Sequence, residues 1–422
     1  MANQSELKSK FYYGYVMALL GFLVIFIALV LKNNVSSLLV VPITKELGVT
    51  RTAYTFSLSI MAITMMCGCF FMGRIIKRFK LKNVMAVCFV VLAVSYVFFS
   101  RVTALWQIYV ISAFLGIAYA GATTLPVNIM INNWFGPKIK GTMQSVASLG
   151  SGVGAIIWVN IFQYIVSHYG WRGAQLSIAA VFLVIMIPLV YFVAVDYPEE
   201  KGYTHRPGDP VEGDADVSVA KRGIDFKKIW GMKRFWMQSV GQVLIVACSA
   251  GVYSQIVPYF TDLGMKPAAA AALYSAAMGS LMFGKLIIGF IADLIKVPRA
   301  SLVSPLFFSL AFISLYLMAS GAPSWMFLAT FIFGGSVSTI LPPILTAKNY
   351  GDKDFGSIMG VITMEGNIGQ IIGPLLAAFV FDTTGSYKIA WVIYAFIAAI
   401  VGVFWYISTK VSKKHAAELG YE

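Results

Sequence analysis

The chain reads as a succession of long apolar segments separated by short clusters of charge, glycine and proline. These segments fall near residues 11–44, 52–76, 82–100, 104–134, 141–166, 172–196, 235–262, 267–295, 300–320, 323–347, 355–382 and 387–409. Each offers about the 20 apolar residues that a helix needs to cross a bilayer. They are continuous runs and not the alternating ten-residue segments of a membrane barrel. The pattern predicts an all-α membrane protein with twelve transmembrane helices. One long polar stretch, Asp196 to Arg234, separates the sixth span from the seventh. It divides the chain into an N-terminal six-helix bundle (1–196), a cytoplasmic linker (197–234) and a C-terminal six-helix bundle (235–422). The polar start, MANQSELKSK, runs into the first span without a small-residue cleavage site and reads as an uncleaved end.

Composition narrows the functional classes. Of the 422 residues 59% are hydrophobic and 12% charged, against about 25% charged in soluble domains. This excludes a soluble enzyme. The four cysteines (Cys67, Cys69, Cys88, Cys248) lie inside apolar runs and form neither a disulfide framework nor a metal-ligand spacing. No phosphate-cradling P-loop occurs, so direct ATP hydrolysis is excluded as the driving force. No cofactor is predicted. The net charge of +14 is explained by topology: with the N-terminus inside, 24 of the 32 Lys and Arg fall in inner tails and loops and 6 in outer loops. By the positive-inside rule both termini are cytoplasmic, in a multi-pass protein of the cell membrane. The basic charge therefore faces the lipid surface and implies no nucleic-acid partner.

The two halves repeat each other. At an offset of 216, Val41, Pro42, Leu47 and Gly48 recur as Val257, Pro258, Leu263 and Gly264, and Gly68 and Gly73 as Gly284 and Gly289. At an offset of 215, Gly136, Gly141, Gly154 and Gly170 recur as Gly351, Gly356, Gly369 and Gly385. A duplication of six helices, an even number, leaves both halves parallel in the membrane.

Two parallel six-helix halves joined by a long inner loop resemble the major facilitator superfamily. Local motifs agree. Gly284-Lys-Leu-Ile-Ile-Gly289-Phe-Ile-Ala-Asp293-Leu-Ile-Lys296-Val-Pro-Arg299 is similar to the family's G-x-x-x-D-R-x-G-R loop, whose acid and bases latch cytoplasmic helix ends. Its first-half counterpart, Gly73-Arg-Ile-Ile-Lys77-Arg78, has Lys77 in place of the acid. The resemblance implies a latch at Asp293, with Arg78 on the first-half loop. NNWFGPKIKGTMQSVASLGSGVG (132–154) and YGWRGA (169–174) resemble the branch of monocarboxylate porters and oxalate/formate antiporters. In that branch an Arg of the eighth helix, four before the motif glycine, binds the substrate carboxylate; the matching position here is Lys285. The porters' acid one turn earlier is absent, Leu281 standing there, and the antiporters' second cation in the eleventh helix has only Glu365 nearby.

Three ionisable residues lie well inside spans: Lys32, Lys285 and Glu365. A charge at mid-bilayer costs about 2.5–3.5 kcal/mol even on low scales, so such residues face the bundle interior and mark substrate or ion paths. Their counterparts in the opposite repeats, Cys248, Cys69 and Gly150, are uncharged. The substrate is expected to meet Lys285 and Lys32, with Asn33 on the polar stripe of the first helix. Asn128 of the fourth helix and the rings of Tyr119 and Tyr253 are further candidates, each with helix packing as the alternative. Glu365 is expected to carry a coupling proton or to pair with a lysine. The linker end 225–235 is expected as an interfacial helix with Phe226, Ile229 and Trp230 in lipid.

The chain is thus expected to be a monomeric secondary transporter of a small organic anion, monocarboxylate-like and proton-coupled, working by alternating access. An anion exchanger and a multidrug efflux pump are the alternatives. An intramembrane enzyme fits poorly, because His168, His205 and His415 all lie in loops.

Overall fold

The structure is a computed structural model that describes residues 12–136, 139–203, 207, 223–351 and 354–410. Twelve spans follow in order. The first six are α1 (Gly14–Leu47), α2 (Arg51–Arg78), α3 (Leu81–Phe99), α4 (Leu105–Trp134), α5 (140–169) and α6 (171–193). The second six are α7 (Lys233–Asp262), α8 (Pro267–Ile295), α9 (Val297–Met318), α10 (Trp325–Tyr350), α11 (Phe355–Thr384) and α12 (Lys388–Ser408). The helical hydrogen bonds of α5 run on into α6, but Gly170 between them has φ 69° and ψ 178°. That backbone region suits glycine, and the chain turns there, so the two spans are distinct.

Several spans are interrupted where they approach the centre. α1 holds a π turn at Ile25–Leu29, immediately before Lys32. α4 breaks at Thr123 (φ −117°, ψ −112°), and α10 at Ser336 (φ −90°, ψ 3°). Elsewhere small residues bring helices together. A Cβ on Gly369 or Gly373 of α11 would strike the Val243 or Ala247 carbonyl of α7, so these glycines set a backbone-to-backbone seam between the two helices.

The start of α1 meets the ends of α4 and α6 (Tyr12 with Trp134, Tyr13 with Val193). The start of α7 meets the end of α10, which in turn meets the end of α12 (Phe235 with Tyr350, Asn349 with Ser408); this side of the bundle is here the terminal face. The halves meet along α1 with α7, α2 with α11, and α5 with α8. Among the described residues, the hydrogen bonds joining the halves all lie toward the far face; they include Ser37 Oγ to the Ser254 carbonyl (3.0 Å), Gln255 Nε2 to Thr55 Oγ1 (3.0 Å) and Asn160 Nδ2 to Ser275 Oγ (3.0 Å).

Both described ends of the linker are fastened to their own halves. Tyr203 packs between Tyr12 and Trp134, and the Asp196 carboxylate accepts the N–H groups of Leu81 (2.7 Å) and Lys82 (3.3 Å) at the start of α3. At the other end Phe226–Gly231 forms a short 3-10 helix whose first N–H donates to Asp354 (2.7 Å). The expected interfacial helix is corrected here: Ile229 is fully buried against Phe235 and Tyr350, because its apolar surface finds protein before it finds lipid. Trp230 remains exposed. Residues 204–206 and 208–222 of the expected tether lie outside the described residues.

Candidate functional site

Between the halves lies a cavity of ≈ 550 Å³ whose walls come from α1, α2 and α5 on one side and α7, α8, α10 and α11 on the other. Its far end is plugged where Asn34 Nδ2 of α1 donates to the Tyr274 hydroxyl of α8 (3.2 Å). Toward the terminal face its lining reaches Met359, about one turn inside the start of α11. The cavity is therefore closed on the far side and directed to the terminal face.

Lys32 and Lys285 both line this cavity, and among the described residues no Asp or Glu does. Lys285 lies ten residues from the terminal end of α8, about 15 Å deep. Lys32 lies eighteen residues into α1, about 27 Å deep, so the two cations stand at different levels of one path. The Lys32 ammonium sits 3.2 Å from Met65 Sδ and 5.9 Å from the centre of the Tyr119 ring; sulfur and a ring face are weak partners for a cation. Among the described residues neither lysine has a carboxylate within ion-pair distance. A second chamber of ≈ 30 Å³ adjoins Lys32 within the N-terminal half.

Of the other expected residues, Asn33 and Tyr253 line the cavity, and the Tyr253 hydroxyl is tied to the Gly335 carbonyl (3.0 Å) beside the α10 break. Tyr119 stands elsewhere. It is fully buried in the N-terminal half, its hydroxyl 2.8 Å from that of Tyr96, and it reaches the site only as the ring beneath Lys32. Asn128 is exposed on α4 and does not line the cavity. Arg78 is exposed at the terminal end of α2, near the Phe79 ring; the Asp293 side chain lies outside the described residues.

Glu365 requires a correction. The cavity-facing residues of α11 (Met359, Thr363, Gly366, Asn367, Gln370 and Pro374) fall within an arc of about 100° at 100° per residue. Glu365 lies about 150° from the middle of that arc. It faces away from the cavity, along the seam with α7, and is not paired with Lys285 or Lys32. Glu365, like Lys285, lies about 15 Å from the terminal end of its helix, but depth holds no information about the direction in which a side chain points.

Sequence reasoning missed Asn34, Tyr274, Asn367 and Gln370 in the cavity wall, and it missed the closure of the far face altogether. There the Arg51 guanidinium at the start of α2 forks onto Asp262 at the end of α7 (2.6 and 2.8 Å). It also donates to the Tyr387 hydroxyl (2.8 Å) and stacks 3.8 Å from the centre of the Phe381 ring. The backbone N–H groups of Arg51 and Thr52 donate to Asp382 at 3.2 and 2.7 Å. The repeat gave no signal for this lock: at the offset of 216, Asp262 is the counterpart of Glu46. Glu46 instead bonds inside its own half, to Trp171 (2.6 Å) and Arg172.

Comparison with known proteins adds family and fold. The sequence matches the family model of the Major Facilitator Superfamily over residues 21–349 and 256–420. It is 26% identical over 309 residues to monocarboxylate transporter 13 of Bos taurus, covering 72% of this chain and 68% of that protein. It is 23% identical over 373 residues to the uncharacterized MFS-type transporter YcxA of Bacillus subtilis, covering 84% and 85%. Among solved structures it resembles a bacterial homologue of the human lysosomal transporter Spinster in an inward-facing, unoccupied conformation, with TM-score 0.72, 14% identity and 95% and 98% of the chains covered. It also resembles the nucleoside transporter NupG, with TM-score 0.74, 14% identity and 95% and 100% covered.

Proposed function

The chain belongs to the Major Facilitator Superfamily and is a multi-pass secondary transporter, not an enzyme; on that premise we propose that it moves a small organic anion, monocarboxylate-like, through the central cavity by alternating access. The observation that carries this reading is the pair of lysines, Lys32 and Lys285, in a cavity wall that holds no acid among the described residues. Two desolvated cations are costly unless an anion meets them, and a carboxylate is a suitable partner for an ammonium with three donors. Asn33 and Tyr253 supply further polar contacts. The monocarboxylate transporters among the relatives support the same substrate class.

On this reading the basic, terminal face lies on the cytoplasmic side of the cell membrane, and the conformation is the inward-facing one of a monomer; the excess of Lys and Arg in the loops of that face supports it. Glu365 carries the coupling proton, and Asp293 with Arg78 latches the cytoplasmic side in the opposite state. A second reading, anion exchange, draws on the same lysines. An empty carrier would have to occlude two uncompensated charges in a low-dielectric interior, whereas a loaded one would not. Export of cationic drugs is disfavoured by the absence of acid from the cavity.

The test is binding and transport on one preparation. Purified protein is screened by thermal shift against a panel of mono- and dicarboxylates, and each stabilising anion is assayed in proteoliposomes with and without a proton gradient. A ligand at about 100 times its Kd stabilises by about 2.7 kcal/mol. Stabilisation by cationic dyes and by no anion would overturn the proposal.

A further inference from the structure

The seam between α7, α10 and α11 holds an unusual group of polar atoms. Ser239 Oγ, Gln242 Oε1, Tyr350 OH and Glu365 Oε2 are buried there, and none makes a hydrogen bond of normal geometry, although Ser239 faces the Glu365 carboxyl and Asn349 the Tyr350 hydroxyl. Buried polar atoms are nearly always well satisfied, so poorly satisfied groups on three adjoining helices need an explanation. They are near one another. The Glu365 carboxyl lies beside Ser239 and interacts electrostatically with Tyr350. The Gln242 Nε2 lies 3.3 Å from where a side chain on Gly366 would begin, so Gln242 stands at the level of Glu365 in the seam, about 100° round α11 from it. Ser239 and Gln242 are one turn apart on α7, on the same face.

The donor and acceptor inventory shows what is missing. An ionised carboxylate and an amide oxygen only accept, whereas the Ser239 and Tyr350 hydroxyls can donate. With Glu365 ionised, both hydroxyls can turn to the carboxylate, and the Gln242 oxygen stays orphaned. With one proton added to Glu365 Oε2, the acid becomes a donor and the Gln242 oxygen becomes its acceptor. A single proton taken from the aqueous phase at the terminal face therefore changes which groups are satisfied. Gln242 is also part of the substrate cavity wall, where its Nε2 donates to the Ser338 carbonyl of α10 (3.3 Å).

Resting on the reading that Glu365 carries the coupling proton, the geometry points to a proton-binding site in the α7–α10–α11 seam, separate from the substrate cavity and coupled to it through Gln242. The protonated acid pins Gln242 into the wall; the ionised acid releases the amide to turn into the cavity. The charged and titratable groups around the seam are Tyr350 of α10 and, acting on the same tyrosine, Arg234 of α7. On α2, which packs along the other side of α11, the residues at this depth (Met65, Met66, Cys67) carry no charge. Gln242 is a positioning residue here: it moves no proton itself.

The experiment needs only protons as the probe. Infrared difference spectra of the purified protein are recorded while the buffer alternates between acidic and alkaline. A carboxylic-acid carbonyl band is expected at acidic pH, lost in Glu365→Gln. In Gln242→Leu, or in Gln242→Met should the first variant fold poorly, the band is expected to persist at higher frequency, because its hydrogen-bond acceptor is gone. In Ser239→Ala it is expected to stay where it is, since that hydroxyl serves the ionised form. A band unmoved by either Gln242 variant but lost in Glu365→Gln overturns the relay and leaves the proton site standing. No difference between wild type and Glu365→Gln, with gradient-driven uptake intact in that variant, overturns the coupling reading itself.

Discussion

Replacing Arg51 with alanine removes the contacts that hold the far face shut. The guanidinium makes two charge-assisted bonds to Asp262 and one to Tyr387, over the Phe381 ring. Its side chain is 11% exposed and that of Asp262 32%, so solvent screens the pair only in part. Hydrogen bonds to charged groups contribute about 1.5–3 kcal/mol each when well formed, but bonds sharing one side chain are not additive. A total of about 3 kcal/mol for the lock follows, the Asp382 bonds to backbone N–H surviving the substitution. That is roughly a hundredfold in the ratio of far-closed to far-open protein, at about 1.4 kcal/mol per tenfold. The assay is pulsed electron resonance between spin labels on the far ends of α2 and α7 in a cysteine-free background. Arg51→Ala should show a longer-distance population that wild type lacks. Asp262→Ala should produce the same population, and the double variant little more than either alone. Unchanged distances in Arg51→Ala, or effects of the two variants that simply add, would refute the lock.

Other expectations follow from single contacts. Lys285→Gln should weaken binding of the thermally identified anion by roughly 10- to 100-fold, the loss of one charge-assisted contact, without lowering the melting temperature of the empty protein; calorimetric titration reads this. Lys285→Arg should bind yet turn over more slowly, since a planar fork cannot reproduce the geometry of a point cation, which initial-rate uptake would detect. Lys32→Gln removes a desolvated cation and should raise the melting temperature while lowering anion affinity; a lower melting temperature would mean that Lys32 has a structural partner. Asp196→Ala strips two N–H acceptors from the start of α3 and should cost about 1 kcal/mol, seen as a lower melting temperature with anion affinity intact.

The spans were legible because desolvated backbone permits little else in a membrane, and the fold followed from their number, their repeat and the placement of charge. Lys32 and Lys285 were legible too, as charges inside apolar runs. What a linear pattern lacks is azimuth. Depth along a helix can be counted, but Glu365 sits beside Gly366 in the chain and on another side of the helix in space. Tyr119 and Asn128 failed for the same reason: a ring or an amide marks polarity, not the neighbour it will meet. The Arg51 lock was invisible for a different one. Its partners lie 211 and 331 residues away, at helix ends where charge ordinarily means contact with water.

Glu46 and Asp262 occupy the same place in the two repeats, yet one ties its own half together and the other reaches across to Arg51. This broken equivalence has a kinetic consequence. Whatever depth the lock gives to one resting state is added to the barrier for leaving it, so each 1.4 kcal/mol lengthens the wait before the next cycle about tenfold. A firm lock makes a slow carrier that leaks little, and a weak one makes a fast carrier that slips. On the alternating-access reading a single side chain, Arg51, sets the exchange between speed and tightness from outside the cavity lining.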